Sequence, residues 1–121
     1  MILADTSIWV DHLRSGDQQL EDLLLDGEVL MHPFIIGEIA LGHLPKRLGT
    51  LQELQELPAA KVATDTEVLR LIEANNVVGS GIGYVDVHLL ASALLMDCPF
   101  WTRDKRLVKV TQRIGRAPSL H

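Results

Sequence analysis

Met1-Ile2-Leu3-Ala4-Asp5-Thr6-Ser7 runs straight into Ile8-Trp9-Val10, and the reading of this stretch decides the fold. An apolar run ending in Asp-Thr-Ser predicts a short buried strand followed at once by a helix, with Thr6 or Ser7 as N-cap. In open α/β sheets, ligands bind in the crevice beyond the carboxyl ends of the strands. A first strand ending in Asp5 therefore puts a carboxylate in that crevice. The plainer alternative is that Asp5 only helps to cap the first helix. Other carboxylates arriving at the same place would decide between the two.

Downstream, Ile8, Trp9, His12 and Leu13 predict a helix from Ser7 to about Arg14, ended by Gly16. Asp17 caps a second helix with Leu20, Leu23 and Leu24 as its apolar stripe, closed by Gly27. Val29 to Met31 form a short strand that His32-Pro33 stops. Phe34 to Leu41, almost wholly apolar apart from Glu38, keeps helical spacing as far as Leu44. Pro45 opens another helix through Leu48, Leu51, Leu54 and Leu57, and these two helices are expected to form a hairpin. Ala60 to Ala63 reads as a brief strand, and Thr64-Asp65-Thr66-Glu67 as a capping box before a helix through Leu69, Leu71 and Ile72. After a loop from Asn75 to Gly81, Gly83 to Leu95 is the strongest helix in the chain. Cys98 to Thr102 is a strand, and a basic helix runs from about Lys105 to Ile114. Strands alternating with helices imply a parallel sheet covered on both faces.

The 121 residues suit one domain, 1–121, large enough to bury a core without staples. A lone cysteine, Cys98, excludes an intrachain disulfide and argues against a Cys-based zinc site. Neither a basic leader nor an apolar run of transmembrane length is present, so a soluble cytoplasmic protein with no membrane partner is expected. The net charge of −5 argues at first against a nucleic-acid partner. Its distribution says more. Of 11 Lys and Arg, six (Arg103, Lys105, Arg106, Lys109, Arg113, Arg116) fall in one stretch whose only acid is Asp104. This allows a basic flank on an acidic body; an ordinary solvated helix face is the alternative.

Of the 16 acids, Asp5, Glu38, Asp86 and Asp104 stand apart. Asp5 and Asp104 each follow a strand, so both fall at the carboxyl edge of the sheet. Glu38 and Asp86 lie in apolar helical segments, each near its amino-terminal half, where a lone carboxylate is costly unless compensated. The helix dipole is one compensation and a shared cation is another. Four carboxylates gathered without a cation would repel and raise one another's pKa values. An all-oxygen set points to Mg²⁺ or Mn²⁺ rather than zinc. Thr6, Ser7 and Thr102 can support the acids through their hydroxyls.

Other signals are weaker. His12, His32, His43, His88 and His121 show no paired ligand spacing, and structural or surface roles are expected for all five. His88 lies two residues from Asp86 and so faces away from it on a helix. No nucleophilic-serine elbow is present, and Gly79-Ser80-Gly81-Ile82-Gly83 lacks the lysine of a nucleotide-binding loop. Trp9, Tyr84 and Trp101 are expected to pack in the core or at the sheet edge.

Leu3-Ala4-Asp5-Thr6-Ser7, Gly37-Glu38-Ile39-Ala40-Leu41-Gly42, Gly83-Tyr84-Val85-Asp86-Val87-His88-Leu89-Leu90-Ala91 and Trp101-Thr102-Arg103-Asp104 occur in the order seen in PIN-domain ribonucleases. More narrowly, the chain resembles the VapC-type toxins of bacterial toxin–antitoxin pairs over nearly its whole length. The resemblance implies a three-layer α/β/α sandwich with a central parallel sheet. It also implies RNA cleavage with Mg²⁺ or Mn²⁺, a homodimer and inhibition by a cognate antitoxin, with no direct DNA binding in the antitoxin's absence. Carried over residue by residue, metal binding rests on Asp5 and Asp86, with Glu38 and Asp104 completing the catalytic acids and Thr102 supporting the last. Where the family often has a second acid and an aromatic after Thr-x-Asp, this chain has Arg106 and Leu107, which leaves Asp104 the least secure of the four.

The basic stretch would then hold the RNA backbone, through Arg103, Lys105, Arg106 and Lys109. Spare apolar surface on the leucine-rich helix around Leu48, Leu51 and Leu54 suits a homodimer or an antitoxin helix. Two readings from other classes stand beside this one. A phosphoacceptor receiver domain shares the length, the parallel sheet and an early acid, but Asp5 is followed by Thr6-Ser7 rather than a second acid. A metal-free interaction module would use the same acids only as helix caps.

Overall fold

The computed structural model describes residues 1–120; His121, and the role expected for it, lie outside them. Three strands, β1 (Ile2–Ala4), β2 (Val29–Leu30) and β3 (Phe100–Trp101), form a parallel sheet in the order β2-β1-β3. Ile2 pairs with Val29 and Leu3 with Leu30 on one side of β1; on the other, Leu3 pairs with Phe100 and Ala4 with Trp101. Successive strand residues face opposite sides, and Ile2, Leu3 and Ala4 are all buried. Both faces of the sheet are therefore covered, as an α/β/α sandwich requires.

Among the described residues seven helices supply the cover: α1 (Thr6–Ser15), α2 (Gln18–Leu25), α3 (Pro33–Ala40), α4 (Arg47–Gln55), α5 (Asp65–Ala74), α6 (Tyr84–Leu95) and α7 (Lys105–Arg113). In α6, every residue from Val87 to Ala93 is buried, which is the mark of a helix enclosed by its neighbours. It packs on β1 and α5. Helix α1 packs on α3, and α3 on α4. The capping box expected at Thr64 is formed, with Glu67 N–H donating to Thr64 Oγ1 and Thr64 N–H to Glu67 Oε1.

Several local expectations need correction. The first N-cap is Asp5 itself, not Thr6 or Ser7, so the helix starts one residue earlier. Asp accepts from free helix amides as well as Ser does. The strand expected at Ala60–Ala63 shrinks to one parallel bridge, Met31 with Ala59. There Met31 N–H donates to Pro58 O and Ala60 N–H to Met31 O, both at 2.7 Å. Lys61 and Val62 then turn to solvent, and Thr64 commits the chain to α5. Helix α4 begins at Arg47 rather than Pro45, because Lys46 sits in the left-handed region at φ 50°. Its leucine stripe is only partly used: Leu54 is buried, Leu48 is 85% exposed and Leu57 lies past the helix end. Among the described residues, no helix is long and apolar enough to cross a membrane.

His32 ties α3 to α6. It caps α3 by accepting the Phe34 N–H on Nδ1 at 3.0 Å, which puts the ring proton on Nε2, 3.1 Å from Ser92 Oγ. Burial, assisted by the nearby His88, pushes its pKa down from 6.5 to about 4. Between those values the unfolded chain takes up a proton that the native ring refuses, so stability falls as pH falls through that window. Replacing His32 by Asn keeps a capping oxygen and removes the titration. Denaturant melts of wild type should lose on the order of 3 kcal/mol more than His32→Asn between pH 6.5 and 4. Parallel pH profiles would contradict this assignment.

Candidate active site

Because Ala4 pairs with Trp101, the next residues on the two strands, Asp5 and Thr102, emerge side by side at the sheet's carboxyl edge. Thr102 Oγ1 donates to Asp5 Oδ2 at 2.6 Å and accepts the Asp104 N–H at 3.1 Å. Asp5 is only 4% exposed. Its Oδ1 accepts from Ser7 N–H at 3.0 Å, Ile8 N–H at 3.4 Å and, in a short contact, the Ser7 hydroxyl. A carboxylate taken out of water needs such donors, and Asp5 has them from both flanking elements. Asp104 caps α7, its Oδ1 accepting from Arg106 N–H at 2.9 Å and Leu107 N–H at 3.1 Å.

The other two acids come from helices. Asp86 lies in the first turn of α6 and accepts from the N–H of Gly83, the N-cap. Glu38 departs from expectation. Helix α3 starts at Pro33 and ends at Ala40, so Glu38 is near its carboxyl end, where the dipole gives no help. It is compensated instead by exposure and by Thr6 Oγ1, which donates to Glu38 Oε1 at 2.7 Å.

Electrostatics joins the four. Burial raises the Asp86 pKa first, and the charge of Asp5 raises it further. The Gly83 N–H offsets part of this, while Glu38 and Asp104 add to it. Carboxylates from three other places in the chain, Asp5, Glu38 and Asp104, thus act on one half-buried aspartate. The set is all oxygen, which matches a hard divalent cation. Among the described residues, no group of three or more His, Cys, Asp or Glu is placed to hold a metal ion. Mg²⁺ needs only one or two direct carboxylates and retains its waters, and Asp5 and Asp86 could supply them.

The basic flank is thinner than its sequence suggests. Arg103 bridges Asp11 and Asp17, Arg113 donates to the carbonyls of Asn75 and Asn76, and Arg116 pairs with Asp97. Arg106 reaches back to the Gly81 carbonyl at 3.3 Å. Lys105 and Lys109 are exposed, opposite the buried Leu107, Val110 and Thr111 of the same helix. Trp9 and Trp101 are buried as expected, whereas Tyr84 is 50% exposed and donates to Asp65. His88 faces Asp65, at 3.4 Å, rather than the acidic edge. The Arg103 bridge had no signal in the sequence, because its partners are 92 and 86 residues away.

Acidic side chains thus gather at the carboxyl edge of a parallel sheet covered by helices. The chain belongs to the PIN domain family, whose model matches residues 2–112. It is similar to a protein named Ribonuclease VapC32 from Mycobacterium tuberculosis (strain CDC 1551 / Oshkosh), 47% identical over 118 residues, covering 97% of this chain and 95% of that one. Ribonuclease VapC32 from Mycobacterium tuberculosis (strain ATCC 25618 / H37Rv) matches to the same extent, with 47% identity over 118 residues. The receiver-domain alternative falls with this family membership.

Mutual repulsion at the site has a measurable consequence. In the absence of divalent cations at neutral pH, Asp86→Asn should melt at a higher temperature than wild type, since one of four converging charges is gone. Adding Mg²⁺ should stabilise wild type more than the variant. Equal responses of the two proteins to Mg²⁺ in thermal melts would count against a shared cation.

Proposed function

We propose that residues 1–121 form a single PIN domain that acts as a metal-dependent endoribonuclease, the toxin of a type II toxin–antitoxin pair. The observation that carries this reading is the convergence of Asp5, Glu38 and Asp104 on Asp86 in a PIN-family chain. The 47% identity to proteins named Ribonuclease VapC32 over 97% of the chain supports it.

Asp5 and Asp86 would hold the cation through the charge of their carboxylates. The hydroxyls of Ser7 and Thr102 fix the Asp5 carboxylate, and the Gly83 N–H steadies Asp86. When bound, Mg²⁺ or Mn²⁺ supplies a positive centre that neutralises charge on the scissile phosphate and acidifies a water. Glu38, held by Thr6, and the exposed Asp104 accept hydrogen bonds from water and aim it at phosphorus. Lys105 and Lys109, with Arg106 beside them, hold the RNA backbone through its phosphates.

The protein works in the cytoplasm as a homodimer. A cognate antitoxin silences it, and it binds no DNA directly without that partner. The exposed Leu41 and Leu48 of the α3–α4 hairpin supply apolar surface for these contacts.

Two variants test the reading together. Asp86→Asn should lower Mg²⁺-dependent RNA cleavage by at least about a hundredfold while keeping the fold. The paired change Lys105→Ala and Lys109→Ala should leave metal affinity alone, weaken RNA binding and reduce the salt slope of binding by about one per lysine. Full cleavage by Asp86→Asn sinks the metal-site assignment; an unchanged salt slope makes the lysines a solvated helix face.

A further inference from the structure

We infer that Arg103 is a positioning residue for the acidic centre: its guanidinium bridges Asp11 on α1 and Asp17 at the start of α2, and so fixes the turn that carries Thr102 and Asp104. This rests on the ribonuclease reading above and gives Arg103 a different role from the RNA contact expected of it.

The turn concerned is short. Only Thr102, Arg103 and Asp104 separate the end of β3 from the start of α7. Thr102 and Asp104 flank Arg103 directly, and both belong to the acidic site. Thr102 holds Asp5, and the Asp104 amide holds Thr102. Whatever sets the backbone at residue 103 therefore sets both neighbours.

The Arg103 side chain is anchored at several points. Nη1 donates to Asp11 Oδ2 at 2.8 Å, Nη2 makes a short contact with Asp17 Oδ2, and the guanidinium lies 5.5 Å from the centre of the Trp101 ring. Asp17 is a rigid anchor. Its side chain is 12% exposed, its Oδ1 caps α2 by accepting the Leu20 N–H at 3.0 Å, and its own N–H donates to His12 Nδ1 at 3.1 Å. Burial works to raise the Asp17 pKa, but the hydrogen bond from Arg103 helps to bring it below the ordinary value, and the bond to Asp17 raises that of Arg103, so the bridge keeps its charges across the working pH range.

A guanidinium suits this task better than an ammonium. Two carboxylates on two elements need two directed donors in one plane, and the aromatic face beneath takes a flat cation. Lysine offers a single mobile point charge. An RNA phosphate contact, in contrast, would survive the change to lysine largely intact. That difference separates the two roles.

The test compares Arg103→Lys, Arg103→Met and Asp11→Asn with wild type. Arg103→Lys and Arg103→Met should each lose about 10- to 100-fold in kcat for RNA cleavage or in Mn²⁺ affinity measured by titration without RNA, as removal of a supporting contact does elsewhere. KM and the salt slope of RNA binding should stay within about twofold. Lysine should not rescue the defect, and Asp11→Asn, which leaves the α2 cap untouched, should reproduce part of it. A raised KM, a salt slope lower by about one and rescue by lysine would make Arg103 an RNA contact and overturn the inference. Unaltered kcat and Mn²⁺ affinity in all three variants would overturn it as well. A wild-type protein that binds Mn²⁺ but cleaves no RNA would defeat the ribonuclease reading alone, and the Mn²⁺ titration would still decide the role of Arg103. If Arg103→Met melts far below wild type, Asp11→Asn and Arg103→Lys carry the same comparison.

Discussion

A buried carboxylate at the end of the central strand is the constraint on which the rest of the molecule depends. Asp5 is 4% exposed, so its charge must be met by the protein. It is met by the first amides of α1, by the Ser7 hydroxyl and by Thr102. Hydrogen bonds to a charged group contribute about 1.5–3 kcal/mol each. These contacts start the first helix directly at the strand end and bind the end of β3 to that of β1. For Asp5, capping the first helix and joining the two strand ends are therefore the same set of contacts. The same holds for Asp104, which caps α7 while its amide steadies Thr102.

Where Asp5 is saturated with donors, Asp86 is not. It has the Gly83 amide and is otherwise surrounded by carboxylates and by the low-dielectric interior, both of which favour its neutral form. The two aspartates divide the work accordingly. One is held rigid as part of the frame. The other stores the electrostatic cost that a divalent cation would relieve. A cation bound there would link metal binding to stability as directly as to chemistry.

What the sequence made legible follows from where each residue sits. Strand ends and first helical turns have local grammar, an apolar run closed by an acid or an acid following a cap, and this located Asp5, Asp86 and Asp104. The alternation of strands and helices was equally readable, because short continuous apolar runs closed by polar or breaking residues differ plainly from stretches with a period of 3.6. Glu38 was misread along its helix. Pro33 starts α3 earlier than Phe34 suggested, and Leu41-Gly42 ends it sooner, which moves Glu38 to the wrong end of the dipole. The bridge at Ala59 was read as a strand, because a short apolar run does not reveal that it pairs with only Met31. Contacts across the chain left no trace at all. The Arg103 clamp joins residues 86 and 92 positions apart, and a run of cations looks identical whether its members face solvent or a partner.

Four carboxylates act on one another at this edge of the sheet, and the Asp86 side chain reports whether a divalent cation completes the set. Carbon-detected NMR of that carboxyl across pH, with and without Mg²⁺, follows its charge without reference to RNA or to activity. The midpoint should lie above the ordinary aspartate range in the metal-free protein, fall when Glu38 is replaced by Gln, and fall further on addition of Mg²⁺. An Asp86 carboxyl that titrates at the ordinary value and ignores both changes would contradict this mutual action.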